Sequence, residues 1–68
     1  MLMQIFLNGE PQDCDSATTL DRLLELAGYA GRRVAVEINR DIVPRSRYTT
    51  TPLNPGDKIE IVHAIGGG

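Results

Sequence analysis

The sequence predicts an α+β domain in which a mixed sheet of four to five strands is covered on one face by one helix. Two segments with the alternation of strands come first, one helical segment follows, and three more strand-like segments complete the order. The helical segment has a single apolar stripe, so it can cover only one face of a sheet. At 68 residues the chain is short enough that these elements must share one core.

The first two strands are predicted to form a hairpin. Apolar residues alternate over residues 3–7, which is the pattern of a strand with one buried face. Asn8-Gly9 then supplies a pair that tolerates positive φ at both central positions of a tight turn. The returning strand, about residues 10–14, contains Pro11, which lacks the N–H that a central strand needs. We therefore expect the second strand at an edge of the sheet.

A helix is predicted after the hairpin. The Thr18 hydroxyl is expected to cap it, with Asp21 accepting from the Thr18 backbone N–H. Gly28 is expected to end it, because a left-handed residue is favoured there. The apolar stripe that should pack on the sheet consists of Leu20, Leu23, Leu24 and Ala27.

The second half of the chain is rich in strands. Alternating segments lie at residues 34–38 and 58–63, and a short strand at residues 42–43 stops at Pro44. Residues 45–51 are polar and are predicted to be irregular. A right-handed crossover through the helix would let the first and last strands lie side by side.

Composition excludes several classes of function. Seven basic residues against nine acidic ones, with two Tyr and one Phe, argue against a nucleic-acid-binding protein. No segment is long and apolar enough for a membrane span, and the first residues lack the features of a signal peptide. Cys14 and His63 are the only residues of their types and cannot build a zinc site. We expect a cytoplasmic protein with no metal site.

The charges are distributed unevenly. Residues 10–25 contain five acids and one arginine, whereas residues 32–47 contain five arginines and two acids. Such asymmetry can steer a charged partner, although opposite solvated faces would produce the same pattern. Arg45 and Arg47, close to Tyr48, are candidates for pairing with an acidic partner, although solvated side chains are the simpler expectation.

Three consecutive glycines, Gly66, Gly67 and Gly68, are the most unusual feature of the chain. Glycine has no Cβ, so such a segment can thread a narrow channel, and the four residues from Ile65 reach about 13–14 Å when extended. A carboxylate on Gly68 would be ionised at neutral pH and would need activation before a nucleophile could attack it. The alternative is a flexible tail without chemistry.

The chain resembles the ThiS family of thiamine-biosynthesis sulfur carriers over essentially its whole length. The resemblance rests on residues 34–46 (VAVEINRDIVPRS), the Gly56-Asp57 turn and the ending HAIGGG at residues 63–68. It implies a β-grasp, ubiquitin-like domain at residues 1–65, followed by a flexible glycine tail at residues 66–68 that carries the reactive C-terminus. The third glycine departs from the two that many relatives show.

The resemblance also implies a mechanism and partners. A ThiF-like adenylyltransferase would adenylate the Gly68 carboxylate with ATP and magnesium, both bound by that partner and not by this chain. Sulfur from a desulfurase or persulfide protein would then produce a thiocarboxylate, which a ThiG-like thiazole synthase would consume. The protein would thus be a co-substrate rather than an enzyme, with Gly66, Gly67 and Gly68 inserted in the partner.

Two alternatives remain open from the sequence. A MoaD-like carrier would use the same tail chemistry for molybdopterin synthesis, and a ubiquitin-like binding module would recognise partners through its sheet alone. Phe6, Val62 and Ile65 form the candidate partner surface, because Phe6 and Val62 fall on the strand faces opposite the predicted core. His63 is expected to be a packing or spacer residue, and Cys14 an inert side chain.

Overall fold

The computed structural model describes residues 1–63 of the chain. Within them the elements follow the predicted order, with a short 3₁₀ helix before the last strand. In chain order they are β1 (Leu2–Leu7), β2 (Glu10–Asp15), α1 (Leu20–Leu26), β3 (Val34–Ile38), β4 (Asp41–Val43), the 3₁₀ helix (Arg45–Thr50) and β5 (Lys58–His63).

The five strands form one mixed sheet in the order β2-β1-β5-β3-β4. The central strands β1 and β5 are parallel, and every other neighbouring pair is antiparallel. The predicted adjacency of the first and last strands is therefore confirmed. β2 lies at an edge, as Pro11 indicated, and Pro11 pairs in register with Phe6.

In both hairpins a tight turn with positive φ connects the two strands. Asn8 and Gly9 have φ values of 51° and 85°, which confirms the turn expected from this dipeptide. Asn39 and Arg40 adopt the same conformation at 52° and 72° between β3 and β4. Asn8 also accepts a hydrogen bond at Oδ1 from the Ile61 backbone N–H at 2.8 Å, so the first turn is tied directly to β5.

The core lies between the sheet and the helix. The predicted stripe of α1 is buried at Leu20, Leu23 and Leu24. The helix ends at Leu26, and Gly28 follows it with the expected left-handed conformation at a φ of 86°. From the sheet and the loops, the buried apolar residues are Met3, Ile5, Cys14, Val36, Leu53, Ile59 and Ile61. Alternation along β1 and β5 thus correctly predicted which strand face packs against the helix.

Two local predictions are wrong. Thr19, not Thr18, precedes the first helical turn, and no side chain caps it; the Thr19 hydroxyl donates to Asp21 instead. Thr18 is buried, and its carbonyl accepts from the Leu53 N–H at 3.2 Å, so this residue is committed to the core rather than to the helix end. Residues 45–50, expected to be irregular, form the 3₁₀ helix.

Asp57 joins two turns at the beginning of β5. Its carboxylate is buried and accepts from the Asn54 backbone N–H at 2.9 Å and from the Asn39 side-chain amide at 3.0 Å. The Asn39 side-chain oxygen in turn accepts from the Lys58 N–H at 3.0 Å. This small network holds the β3–β4 turn against the start of β5.

Replacing Asp57 with Ala should lower the free energy of unfolding by about 1–3 kcal/mol, because it removes a buried carboxylate and leaves the partly buried Asn54 N–H and Asn39 amide without their acceptor. Urea unfolding monitored by circular dichroism measures this. Asp41→Ala is the matched control, because Asp41 is exposed in β4 and should change the value by less than about 0.5 kcal/mol. Equal stability of the two variants would contradict a structural role for the network.

Candidate functional site

The candidate site is the end of β5, where the chain continues toward the glycines. His63 is the last residue of β5 and pairs with Val34, the first residue of β3. Ile65 and the proposed tail, residues 66–68, lie outside the described residues. The structure therefore defines the end of β5, three residues before the first glycine of the proposed tail.

β5 is held on both sides along most of its length. On the β3 side its pairs run from Ile59 to His63. On the other side, the Asn8 N–H donates to the Ile59 carbonyl at 2.8 Å, and Asn8 Oδ1 accepts from Ile61 as described above. A segment that follows His63 thus begins from a strand fixed in the centre of the sheet.

Tyr29 contacts the end of β5 from the helix side. Its ring centroid lies 6.2 Å from that of His63, with the two ring planes inclined at 52°. Tyr29 is partly buried against the core, and its N–H donates to the Leu24 carbonyl at 2.8 Å, one turn back in α1. His63 is exposed, and its ring lies against that of Tyr29, so the expected role of a packing or spacer residue stays a prediction.

The two described members of the candidate partner surface share a sheet face but are not neighbours. Phe6 is partly buried and lies beside Lys58 at the start of β5. Val62 is 59% exposed and lies beside Ala35 near its end. The exposed Glu60 lies between them on the same face of β5, so only Val62 is close to the end of the strand.

Cys14 is buried in β2, with 7% of its surface exposed. Burial raises the pKa of its thiol, and the nearby Asp13 and Asp15 carboxylates add to this, while a hydrogen bond with Thr18 opposes it. The thiolate is therefore disfavoured, which agrees with an inert side chain.

The Cys14 thiol should make stability decline at alkaline pH. The unfolded chain loses this proton near its ordinary pKa of about 8.5, whereas the folded chain retains it to higher pH. The free energy of unfolding should therefore fall as pH rises above this value and be unaffected below it. Urea unfolding of the wild type and of Cys14→Ala at several pH values measures the difference. Parallel pH profiles for the two proteins would contradict the raised pKa.

No group of three or more His, Cys, Asp or Glu residues within residues 1–63 is arranged to hold a metal ion. In the same part of the chain, no helix has the length and apolarity needed to cross a membrane.

Sequence reasoning did not identify Tyr29 as a neighbour of the end of β5. The residue follows Gly28 and belongs to no apolar repeat. Its proximity to His63 depends on the pairing of β3 with β5, which local patterns do not reveal. The position of Tyr29 directly after Gly28, at the end of the helix, is the one local feature that could have drawn attention to it.

Three comparisons with known proteins agree on the relationship. The ThiS family model matches residues 5–68. The sulfur carrier protein ThiS of Escherichia coli is 33% identical over 66 residues, which cover 97% of this chain and 100% of that protein. A thiazole synthase of Magnetococcus marinus is 48% identical over 66 residues, but this chain spans only 20% of its length.

The fold agrees with a solved structure as well. A thiamine biosynthesis protein (ThiS) from Geobacter metallireducens superposes with a TM-score of 0.83 at 30% identity, covering 97% of this chain and 100% of that one. The fold is therefore the ubiquitin-like β-grasp that the sequence resemblance implied. The family match extends through the glycines as well as the folded body, and the chain belongs to the ThiS family.

Proposed function

We propose that this chain is a sulfur carrier for thiamine biosynthesis, with the Gly68 carboxylate as its reactive group. The observation that carries the proposal is the family match, which extends over residues 5–68 and so includes the three glycines. The geometry supports it, because β5 is fixed up to His63 and a tail of residues 66–68 would start close to a rigid point. The folded body and the reactive end then have separate tasks.

The chemistry requires activation by a partner. A carboxylate is a poor electrophile, so a ThiF-like adenylyltransferase transfers AMP from ATP to the Gly68 carboxylate and releases pyrophosphate. A persulfide sulfur attacks the acyl carbon, forms a C–S bond and displaces AMP. Reduction of the S–S bond by a thiol then leaves the thiocarboxylate. Gly68 suits these attacks, since no side chain crowds its carbonyl.

The chain acts as a co-substrate and not as an enzyme in this proposal. ATP and magnesium belong to the adenylating partner, and a desulfurase or persulfide protein supplies the sulfur. A ThiG-like thiazole synthase accepts the sulfur, a link that the similarity to part of a thiazole synthase supports. That similarity favours thiamine synthesis over a MoaD-like function in molybdopterin synthesis. We place the protein in the cytoplasm, where ATP is available.

The outer face of the sheet supplies a second contact. Val62 is exposed near the end of β5 and, together with Ile65, would pack against a partner that receives the tail. Phe6 lies further from this point and would contribute at the margin. A binding module that lacked tail chemistry would depend on this face alone.

Exchange of labelled pyrophosphate into ATP by the adenylyltransferase tests the activation step. The full chain should stimulate the exchange, because adenylate formation is reversible. A semisynthetic chain with a carboxamide at Gly68 is the matched control, since it has the same fold but no carboxylate to adenylate. Equal exchange with both chains would disprove the proposed site.

A further inference from the structure

We propose that a cleft beside the end of β5 docks a carboxylate side chain of the adenylating partner. This inference rests on the proposed function, because it requires a partner that receives the tail. The cleft has a volume of about 260 Å³. The residues that form its apolar wall and its charged rim are Leu24, Tyr29, Val34, Tyr48, Arg32 and Arg45.

The cleft lies beside His63, the last described residue of the chain. Val34 lines it and is the strand partner of His63, and Tyr29 lines it and contacts the His63 ring. Its walls come from three segments: the end of α1, the connection to β3 and the 3₁₀ helix. The cleft is therefore on the helix side of the sheet, distinct from the outer face that carries Val62.

Arg32 and Arg45 provide positive charge that is not engaged in an ion pair within residues 1–63. Both side chains are exposed, and neither forms an ion pair or a side-chain hydrogen bond with any residue from 1 to 63. Arg33, which follows Arg32, is exposed as well. Their guanidinium groups are free to pair with an external carboxylate.

The two acids that line the cleft have partners of their own. Asp21 accepts a hydrogen bond from the Thr19 hydroxyl. Glu25 forms an ion pair with Arg22 at 3.5 Å on the exposed side of α1. Both acids are thus engaged by neighbours on or beside α1, whereas Arg32 and Arg45 come from the other two segments and have no such partner within residues 1–63.

A partner that binds the tail is also within reach of this cleft. The five residues 64–68 reach about 17 Å from His63 even at full extension. A protein interface of ordinary size covers about 800 Å² on each partner, which is ample to include a cleft adjoining the start of the tail. A partner that binds the tail can therefore contact the cleft within the same interface.

A carboxylate side chain is the occupant that fits the cleft. Arginine pairs with carboxylates through two parallel hydrogen bonds, and the aromatic and aliphatic wall can pack against the methylene groups of a glutamate. An apolar group would instead cover Arg32 and Arg45 without offering their guanidinium groups an acceptor, and a cationic group would repel them. The partner surface around its tail channel should thus contain an acidic residue.

Charge reversal tests the proposal. Arg45→Glu and Arg32→Glu should each raise the KM for this chain in the adenylation reaction by about tenfold, leave kcat nearly unchanged and weaken the dependence of kcat/KM on salt. Arg40→Glu is the matched control: it makes the same charge change at an exposed residue in the β3–β4 turn, at the opposite end of β3. Its KM should stay close to the wild-type value.

The outcomes separate this inference from the proposed function. Adenylation of all four proteins with the same KM would overturn the docking site and leave the sulfur-carrier proposal intact. A fall in kcat without a rise in KM would also overturn it, because docking acts on binding. Absence of adenylation in the wild type itself would contradict the proposed function, on which the docking site depends.

Discussion

Removal of Gly67 and Gly68 should lower kcat/KM for adenylation by at least about a hundredfold while the free energy of unfolding stays unchanged. The truncated chain still ends in a glycine carboxylate, on Gly66, so its chemistry is the same. Its reach is shorter by about 7 Å, which prevents the carboxylate from reaching the bound ATP. Adenylation kinetics and urea unfolding of the two chains measure both effects.

The truncation also separates a carrier from a binding module. A module that recognises partners through its sheet would retain its function, because no residue of the described fold is altered. Continued thiazole formation at the wild-type rate by the truncated chain would contradict the carrier mechanism. A lower stability of the truncated chain would show instead that the last two glycines contribute to the fold.

Replacing Ile59 with Ala should lower the free energy of unfolding by about 2–5 kcal/mol, because the side chain is completely buried and its removal leaves a cavity. A domain of this size has a total stability of only about 3–10 kcal/mol, so a large part of the population should be unfolded. Thermal unfolding followed by circular dichroism measures the change.

Val62→Ala is the control on the same strand. The Val62 side chain is 59% exposed on the opposite face of β5, so its truncation should change stability by less than about 0.5 kcal/mol. Similar losses for the two variants would contradict the assignment of strand faces. If Val62→Ala retains its stability but raises the KM for the adenylating partner, the outer face takes part in binding.

The parts of the fold that depend on repeating patterns could be predicted from the sequence. Alternation placed Ile5, Ile59 and Ile61 in the core, and helical spacing did the same for Leu23. Asn8-Gly9 predicted its turn because few residue pairs tolerate two positive φ values in succession. In each case the information lies within a few neighbouring residues.

The two predictions that are wrong concern structure that depends on contacts between residues distant in the sequence. The helix N-terminus is set by pairing with the segment before β5: the Leu20 N–H donates to the Thr51 carbonyl at 2.9 Å, and Thr18 pairs with Leu53. Nothing near Thr18 in the sequence indicates this pairing. The 3₁₀ helix has no apolar period, and its end is held by the Thr51 hydroxyl, which donates to the Arg47 carbonyl at 2.6 Å.

The candidate site also has one part that local sequence predicts and one part that depends on distant contacts. The glycines are visible as a motif, and their resemblance to a family predicted the reactive end. The cleft beside β5 is not visible, because Tyr29, Val34 and Tyr48 come from separate segments and meet only when β3 pairs with β5. The uneven distribution of charge indicated a segment rich in arginine, but it did not indicate that Arg32 and Arg45 line the same cleft.

Mass spectrometry of the intact mature protein tests the central claim most directly. After incubation with the adenylyltransferase, ATP and a sulfur source, the mass should increase by the difference between sulfur and oxygen, and fragmentation should assign the sulfur to the Gly68 carboxyl group. A mature chain that continues beyond Gly68, or sulfur found on Cys14 with Gly68 unmodified, would contradict the account.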